Sequence, residues 1–172
     1  MIKNLDQIVA NARSYLNKGW TYKLGGDSDT KKQIDCSAFI WRVLGEKKYS
    51  PELKKWRNTN WLVSDEAQQY FQRIPNPIPG SIAVYGWTTR SDGSKKVGHV
   101  AVVVDPSTRT IIDAASSTNG ITERNGSFFW NKPNTVWLIP RGASTEASDS
   151  TPLLLLVLLI GSLVYINQGK KR

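Results

Sequence analysis

Cys36 and His99 are the only cysteine and the only histidine of the chain, and nucleophilic chemistry is most directly built from such a pair. A thiolate attacks a carbonyl far better than a thiol does, and an imidazole is the usual base that takes the proton. Cys36 stands directly after Asp35 in "QIDCSAFIWRVLG", residues 33–45. Asp35 is a good N-cap, and Cys36, Phe39, Ile40, Val43 and Leu44 keep a helical spacing before Gly45 closes the run. The cysteine is thereby predicted in a first helical turn, where unpaired N–H groups and the positive end of the dipole favour a thiol already partly ionised at neutral pH. The competing reading is a small buried hydrophobe, since Cys36 falls on the apolar face of its helix.

His99 follows Gly98 in "VGHVAVVV", residues 97–104, a β-branched run that reads as a strand. In that setting a lone histidine is otherwise a structural hydrogen bonder. A Cys–His dyad also needs a polar group that fixes the imidazole tautomer. His99, Ala101 and Val103 share one strand face, and Ile111, Asp113 and Ala115 share a face of the next strand. An odd number of residues in the loop around "DPSTR" puts Asp113 on the histidine side, and an even number moves it away. A carboxylate flanked by "TII" and "AA" needs a cationic or hydrogen-bonding partner, and His99 is the natural candidate; Asn119 and Glu123 are the alternatives. One Cys and one His fall short of a zinc ligand set, so no metal and no cofactor is expected.

Elements that would position these groups can be traced along the chain. Leu5, Ile8, Val9, Ala12 and Leu16 predict an amphipathic helix over residues 4–17, ended by Gly19, and a second is predicted over Asp65–Gln72 with Ser64 as its cap. "PNPIPG", residues 75–80, is a turn that closes the helical half. Strands are predicted at 81–87, 97–104, 110–115 and 135–140. Helices first and strands second make an α+β domain in which N-terminal helices pack on an antiparallel β-sheet.

"YKLGG" before "DCSAFI", followed in order by "PGSIAVY", "GHVAVVVD" and "IIDAASS", resembles the NlpC-type papain-like cysteine peptidases of bacterial cell walls over about residues 5–140. The CHAP-type amidases are set aside, because the sequence around the cysteine differs. The resemblance implies a papain-like fold and hydrolysis of an amide bond in peptidoglycan stem peptides. By position it implies Cys36 as nucleophile, His99 as base and Asp113 as the third catalytic group. It also implies Tyr22 as a group lining the site and assisting the oxyanion, Asp35 as a binder of a substrate amine, and Ser37 as its neighbour. The chain departs from the family pattern at Ala38, where glycine is usual, at Ser81 in place of aspartate, and at Asp113 in place of histidine. Those departures keep a non-catalytic wall-binding or virion assembly module open as an alternative.

The net charge is +9, of which Lys170, Lys171 and Arg172 form a terminal cluster, leaving +6 for the remainder. Such a balance suits anionic partners. The basic residues form no stripe or nucleic-acid-binding motif, so no nucleic acid is expected as a partner. Residues 153–166, "LLLLVLLIGSLVYI", carry no charge and are apolar around the whole helical circumference, which requires burial in protein or lipid. As a helix, residues 151–167 would extend roughly 26 Å, close to the ~30 Å hydrocarbon core. The expected organisation is therefore a papain-like cysteine hydrolase domain over 1–141, a flexible linker over 142–152, a single transmembrane helix over 153–167 and a basic tail over 168–172. A lipid bilayer thus joins peptidoglycan as an expected partner. "MIKNLDQIVANARSYL" is not a secretory signal. An anchored wall hydrolase without one fits the internal membrane of a bacteriophage virion, with a bacterial envelope as the other location; a lipid-directed thiol enzyme is a further reading suggested only by the tail.

Overall fold

A computed structural model describes residues 1–89, 93, 95–96 and 98–144. The first helix, α1 (Leu5–Ser14), starts where the Asn4 side chain accepts the Gln7 N–H and buries Leu5, Ile8 and Ala12. It stops short of the predicted end at 17 because the backbone turns left-handed at Asn17 (φ 58°) before Gly19 (φ 72°). Three short strands, β1 (Thr21–Tyr22), β2 (Asp27–Ser28) and β3 (Gln33–Ile34), form a small sheet in the order β1-β3-β2. It leads directly into α2 (Cys36–Val43), capped by Asp35 and followed by Gly45 at φ 75°. The helix bearing Cys36 is thus formed as the capping and periodicity predict.

A hairpin of β4 (Tyr49–Ser50) and β5 (Lys55–Trp56) follows. The next helix, α3 (Thr59–Val63), is capped by the Asn58 side chain, which accepts the Trp61 N–H. The predicted helix over 65–72 is corrected here. Ser64 does not cap it; its hydroxyl donates back to the Trp61 carbonyl at 2.7 Å and so ends α3. Only a 3₁₀ turn at Glu66–Gln69 remains, because Phe71–Ile74 is drawn off as the edge strand β6.

The main sheet adds β7 (Ile82–Tyr85), β10 (His99–Asp105), β11 (Thr110–Ala115), β12 (Gly120–Asn125) and β13 (Val136–Pro140). Its order is β12-β11-β10-β7-β13-β6, and every pairing is antiparallel. Between β7 and β10 lies a small ribbon of β8 (Thr88–Thr89) and β9 (Lys95–Lys96). One sheet face carries Val100, Val102, Ile112 and Leu138 against α1 and α2. The other carries Ala83, Ala101, Val103 and Ile111 beneath Phe129 of the short helix α4 (Ser127–Trp130). This is the α+β, antiparallel architecture expected from the order of elements. The domain is also clasped at its ends: Leu5 N–H donates to the Ser144 carbonyl at 2.8 Å and Ser144 N–H to the Lys3 carbonyl at 3.1 Å.

No helix among the described residues is long and apolar enough to cross a membrane. The transmembrane helix expected over 153–167 and the basic tail lie outside the described residues, as do the last eight positions of the expected linker.

Gly98, immediately before His99, packs with no room for a side chain. A Cβ there would stand 2.2 Å from the Tyr85 carbonyl and 2.8 Å from Thr59 Oγ1. Gly98→Ala is expected to cost about 1–3 kcal/mol through this overpacking, measured by urea unfolding, whereas Gly93→Ala, with nothing within 4 Å of the added carbon, pays only the strain of its φ of 80°.

Candidate active site

Asp35 holds the first turn of α2 in place. Its Oδ1 accepts the Ala38 N–H at 2.8 Å and the Ser37 hydroxyl at 2.9 Å. Its Oδ2 accepts the Gly25 N–H at 3.0 Å and the ammonium of Lys48. Asp35, Ser37 and Lys48 are all buried. Cys36, Ser37, Asp35, Tyr22 and Lys48 line one cavity of about 290 Å³, which Gly98 also borders. Four of the predicted site residues therefore converge, and Lys48 joins them without having been singled out. No local pattern marked Lys48: a lysine in "GEKKYS" reads as a solvated turn until the fold shows where it goes.

The other predicted pair also forms. The loop between Asp105 and Thr110 is even in length, but a bulge between Val103 and Asp105 sets Val103 opposite Ile111, so Asp113 shares the histidine face. His99 Nε2 lies 2.7 Å from Asp113 Oδ2, leaving Nδ1 as the nitrogen available for proton exchange. The ring is set among Tyr85, Phe128 and Phe129, stacked on the last at 5.7 Å. Asp113 is fully buried. Arg124 of β12 grips it from the other side, Nε to Oδ1 at 2.9 Å and Nη2 to Oδ2 at 2.6 Å. Burial pushes the Asp113 carboxyl up, but the bonds from His99 and Arg124 outweigh it and hold the group below its ordinary value. Asp113, not Asn119 or Glu123, is the carboxyl or amide bonded to the His99 ring: Asn119 occupies a left-handed turn and Glu123 pairs with Arg13 at 3.1 Å.

Strand alternation separates the two halves of the site. Cys36 packs with Val100 and Val102, whereas His99 follows the alternation of Ala101 and Val103 to the opposite sheet face. Gly98, the residue before His99, borders the cysteine cavity, and the Val100 N–H after it acts on the sulfur. Among the described residues no hydrogen bond joins the sulfur to the ring. The expectation of a partly ionised thiol is also corrected. Burial, then the Asp35 charge, push Cys36 up to about 12, against the opposing effects of Lys48 and of the Val100 and Ser37 N–H groups. The position in the first turn is as predicted, but desolvation exceeds the benefit of the helix end. Burial, with the nearby Cys36 and Asp35, similarly lifts Tyr22 to about 12, so its phenol remains a proton donor at neutral pH.

A larger cavity, about 710 Å³, shares no lining residue with this one. Its charged groups are largely paired among themselves, Arg42 with Asp27 at 2.7 Å and Asp29 at 2.6 Å, and Arg57 with Glu46 at 3.6 Å. It contains neither Cys36 nor His99, and volume does not outweigh that absence of a nucleophile.

A cysteine in the first turn of a helix packed on an antiparallel sheet, beside a strand that begins with a carboxylate-bonded histidine, defines a papain-like α+β protein. The CHAP domain model matches residues 25–115, more than half of the chain and all three predicted catalytic positions. The chain belongs to the CHAP domain family. Setting the CHAP type aside on the residues around Cys36 is thus overturned; those residues answer to capping and core packing, which discriminate poorly between families sharing a fold. Among solved structures, NlpC1 from Trichomonas vaginalis is similar in fold, with a TM-score of 0.51 and 19% identity over 80% of this chain. This chain spans 46% of the length of that protein. The NlpC/p60 domain of peptidoglycan hydrolase SagA aligns with a TM-score of 0.47 and 20% identity, over 79% of this chain and 97% of that one. No curated protein matches.

Iodoacetamide should modify Cys36 slowly at pH 7, with a rate that keeps rising beyond pH 9; a plateau below pH 8 would contradict the buried, desolvated thiol. Arg124→Gln strips the bidentate partner from a fully buried carboxylate and is expected to cost about 1.5–3 kcal/mol. Because Asp113 is held below its ordinary value, that contribution is present above the unfolded carboxylate range and is lost as pH falls through the folded value. Acid unfolding of the variant and the parent should therefore converge at low pH.

Proposed function

We propose that this chain is a cysteine hydrolase that cuts an amide bond in the stem peptides of peptidoglycan, with Cys36 as nucleophile, His99 as base and acid, and Asp113 as the group that orients the imidazole. The observation that carries this reading is a cysteine at a helix start lining a cavity that Gly98 also borders, and Gly98 directly precedes a histidine whose Nε2 is held by a buried carboxylate. Membership of the CHAP family supports it.

In the reaction the Cys36 proton passes to His99 Nδ1 as substrate fills the cavity and brings sulfur and ring into reach. Catalytic hydrogen bonds commonly tighten only in the substrate complex. Sulfur then bonds to the carbonyl carbon, and the oxygen takes the displaced electron pair, where the Tyr22 phenol can donate to it. Collapse breaks the C–N bond and the amine leaves with the proton from His99. Water, deprotonated by His99, hydrolyses the thioester and restores the thiol. Asp113 stabilises the imidazolium at both stages without itself becoming protonated.

The uncharged run over 153–166 and the basic cluster after it support a single-pass anchor in a lipid bilayer, of a virion internal membrane or of a bacterial envelope. A non-catalytic wall-binding or virion assembly module is the second reading, favoured by the thiol pushed up to about 12 and the missing sulfur–imidazole bond.

Full-length protein should release soluble peptides from purified walls, and Cys36→Ala should reduce release by at least about a thousandfold; equal release by the variant rejects the nucleophile, and wall sedimentation without any release favours the binding module. Leu159→Lys in the apolar run is expected to move the full chain from the membrane to the soluble fraction on alkaline extraction, a lysine at mid-span costing about 2.5–3.5 kcal/mol.

A further inference from the structure

We infer that Lys48 determines specificity in the Cys36 cavity: its ammonium occupies the anionic position offered by Asp35, so the cavity takes a substrate whose group there is an acylated, uncharged amine and rejects a free ammonium. This rests on the amide-hydrolase reading above. Asp35 alone suggests the opposite, a carboxylate waiting for a substrate amine.

The geometry leaves no room for that amine. Both Asp35 oxygens already accept two donors each, Ala38 N–H and the Ser37 hydroxyl on one, Gly25 N–H and Lys48 on the other. An ionised carboxylate has about four acceptor positions in all, and all are used. Lys48 is itself 5% exposed and its ammonium stands 5.9 Å from the Trp56 ring. It is a fixed internal cation and not a surface charge that drifts away. A substrate ammonium entering the same cavity would meet a like charge in a desolvated setting, where repulsion is poorly screened.

The donor inventory points the same way. Among the described residues Asp35 is the only hydrogen-bond partner of the Lys48 ammonium, which leaves two of its three N–H groups to point elsewhere. Asn58 accepts the Trp61 N–H with its Oδ1, so its amide nitrogen remains a donor on the cavity wall. Donors of this kind suit the carbonyl oxygen of an acyl group. A blocked amine brings that oxygen and no charge, so the cavity fits a site inside a longer peptide or beneath an acyl substituent.

The test uses the full chain and two synthetic stem-type peptides of identical sequence, one with a free amino end next to the residue before the scissile bond and one N-acetylated there. The parent is expected to show at least a tenfold higher kcat/KM on the acetylated peptide. Lys48→Gln should shift the ratio at least tenfold toward the free amine, which then takes the place of the lost ammonium, while Lys48→Arg should retain the parent preference. Equal kcat/KM on both peptides, or an unchanged ratio in a folded Lys48→Gln protein, overturns the assignment. Protection of Cys36 from alkylation by the same peptides reads the preference without turnover. Failure to cut either peptide or walls counts against the hydrolase reading, whereas selective protection by the acetylated peptide still supports the role of Lys48, and equal protection sinks it. Should Lys48→Gln not fold, the parent ratio and the protection pair decide the matter.

Discussion

The carboxylate of Asp35 is the point on which the site depends. It caps α2, ties the loop at Gly25 to the helix start, fixes the Ser37 hydroxyl and holds a buried ammonium. Removing an N-cap alone costs about 1 kcal/mol, but this group does more than cap. Three separate pieces of chain, before, at and after α2, are registered against each other by one side chain, and the sulfur is carried by the residue that follows it. Each of the two Asp35 oxygens accepts two donors, the condition for burying a carboxylate at tolerable cost.

The second constraint is the sheet, which divides the chemistry between its faces. Sulfur sits with the helix-side core and imidazole with the aromatic cluster of Tyr85, Phe128 and Phe129. The Cys36 thiol is thus kept protonated and the His99 ring turned toward Asp113. Arg124 completes the buried group on that second face, so the carboxylate that orients the ring is itself clamped by a planar fork. This arrangement protects an oxidisable thiol in the absence of substrate, because the thiolate is the species that reacts with oxidants.

Much of this was legible in the residues. Asp35 before an apolar-periodic run announced both the cap and the position of Cys36, whereas the parity argument left the face of Asp113 open until the register of β10 and β11 fixed it. The part that escaped has physical reasons. Ser64 reads equally well as the cap of one helix and the closing hydroxyl of another, and only packing decides. The strand β12, "GITERN", lies at the sheet edge and is polar at every position from Thr122 to Asn125, so it shows no alternation and Arg124 with it went unnoticed. Lys48 left no trace in the local pattern, since its role is created by a contact across the fold. The thiol's protonation could not be read from helix position, because desolvation depends on everything packed around the sulfur.

The pairing of Lys3 and Leu5 with Ser144 brings residue 144 next to the start of α1. Mechanical load applied through the following residues would first be borne there, peeling two hydrogen bonds one after the other in the manner of a zipper. Because neither Lys3, Leu5 nor Ser144 borders the cysteine cavity, tension applied along the chain at Ser144 would open this seam at the periphery and leave the cavity undistorted.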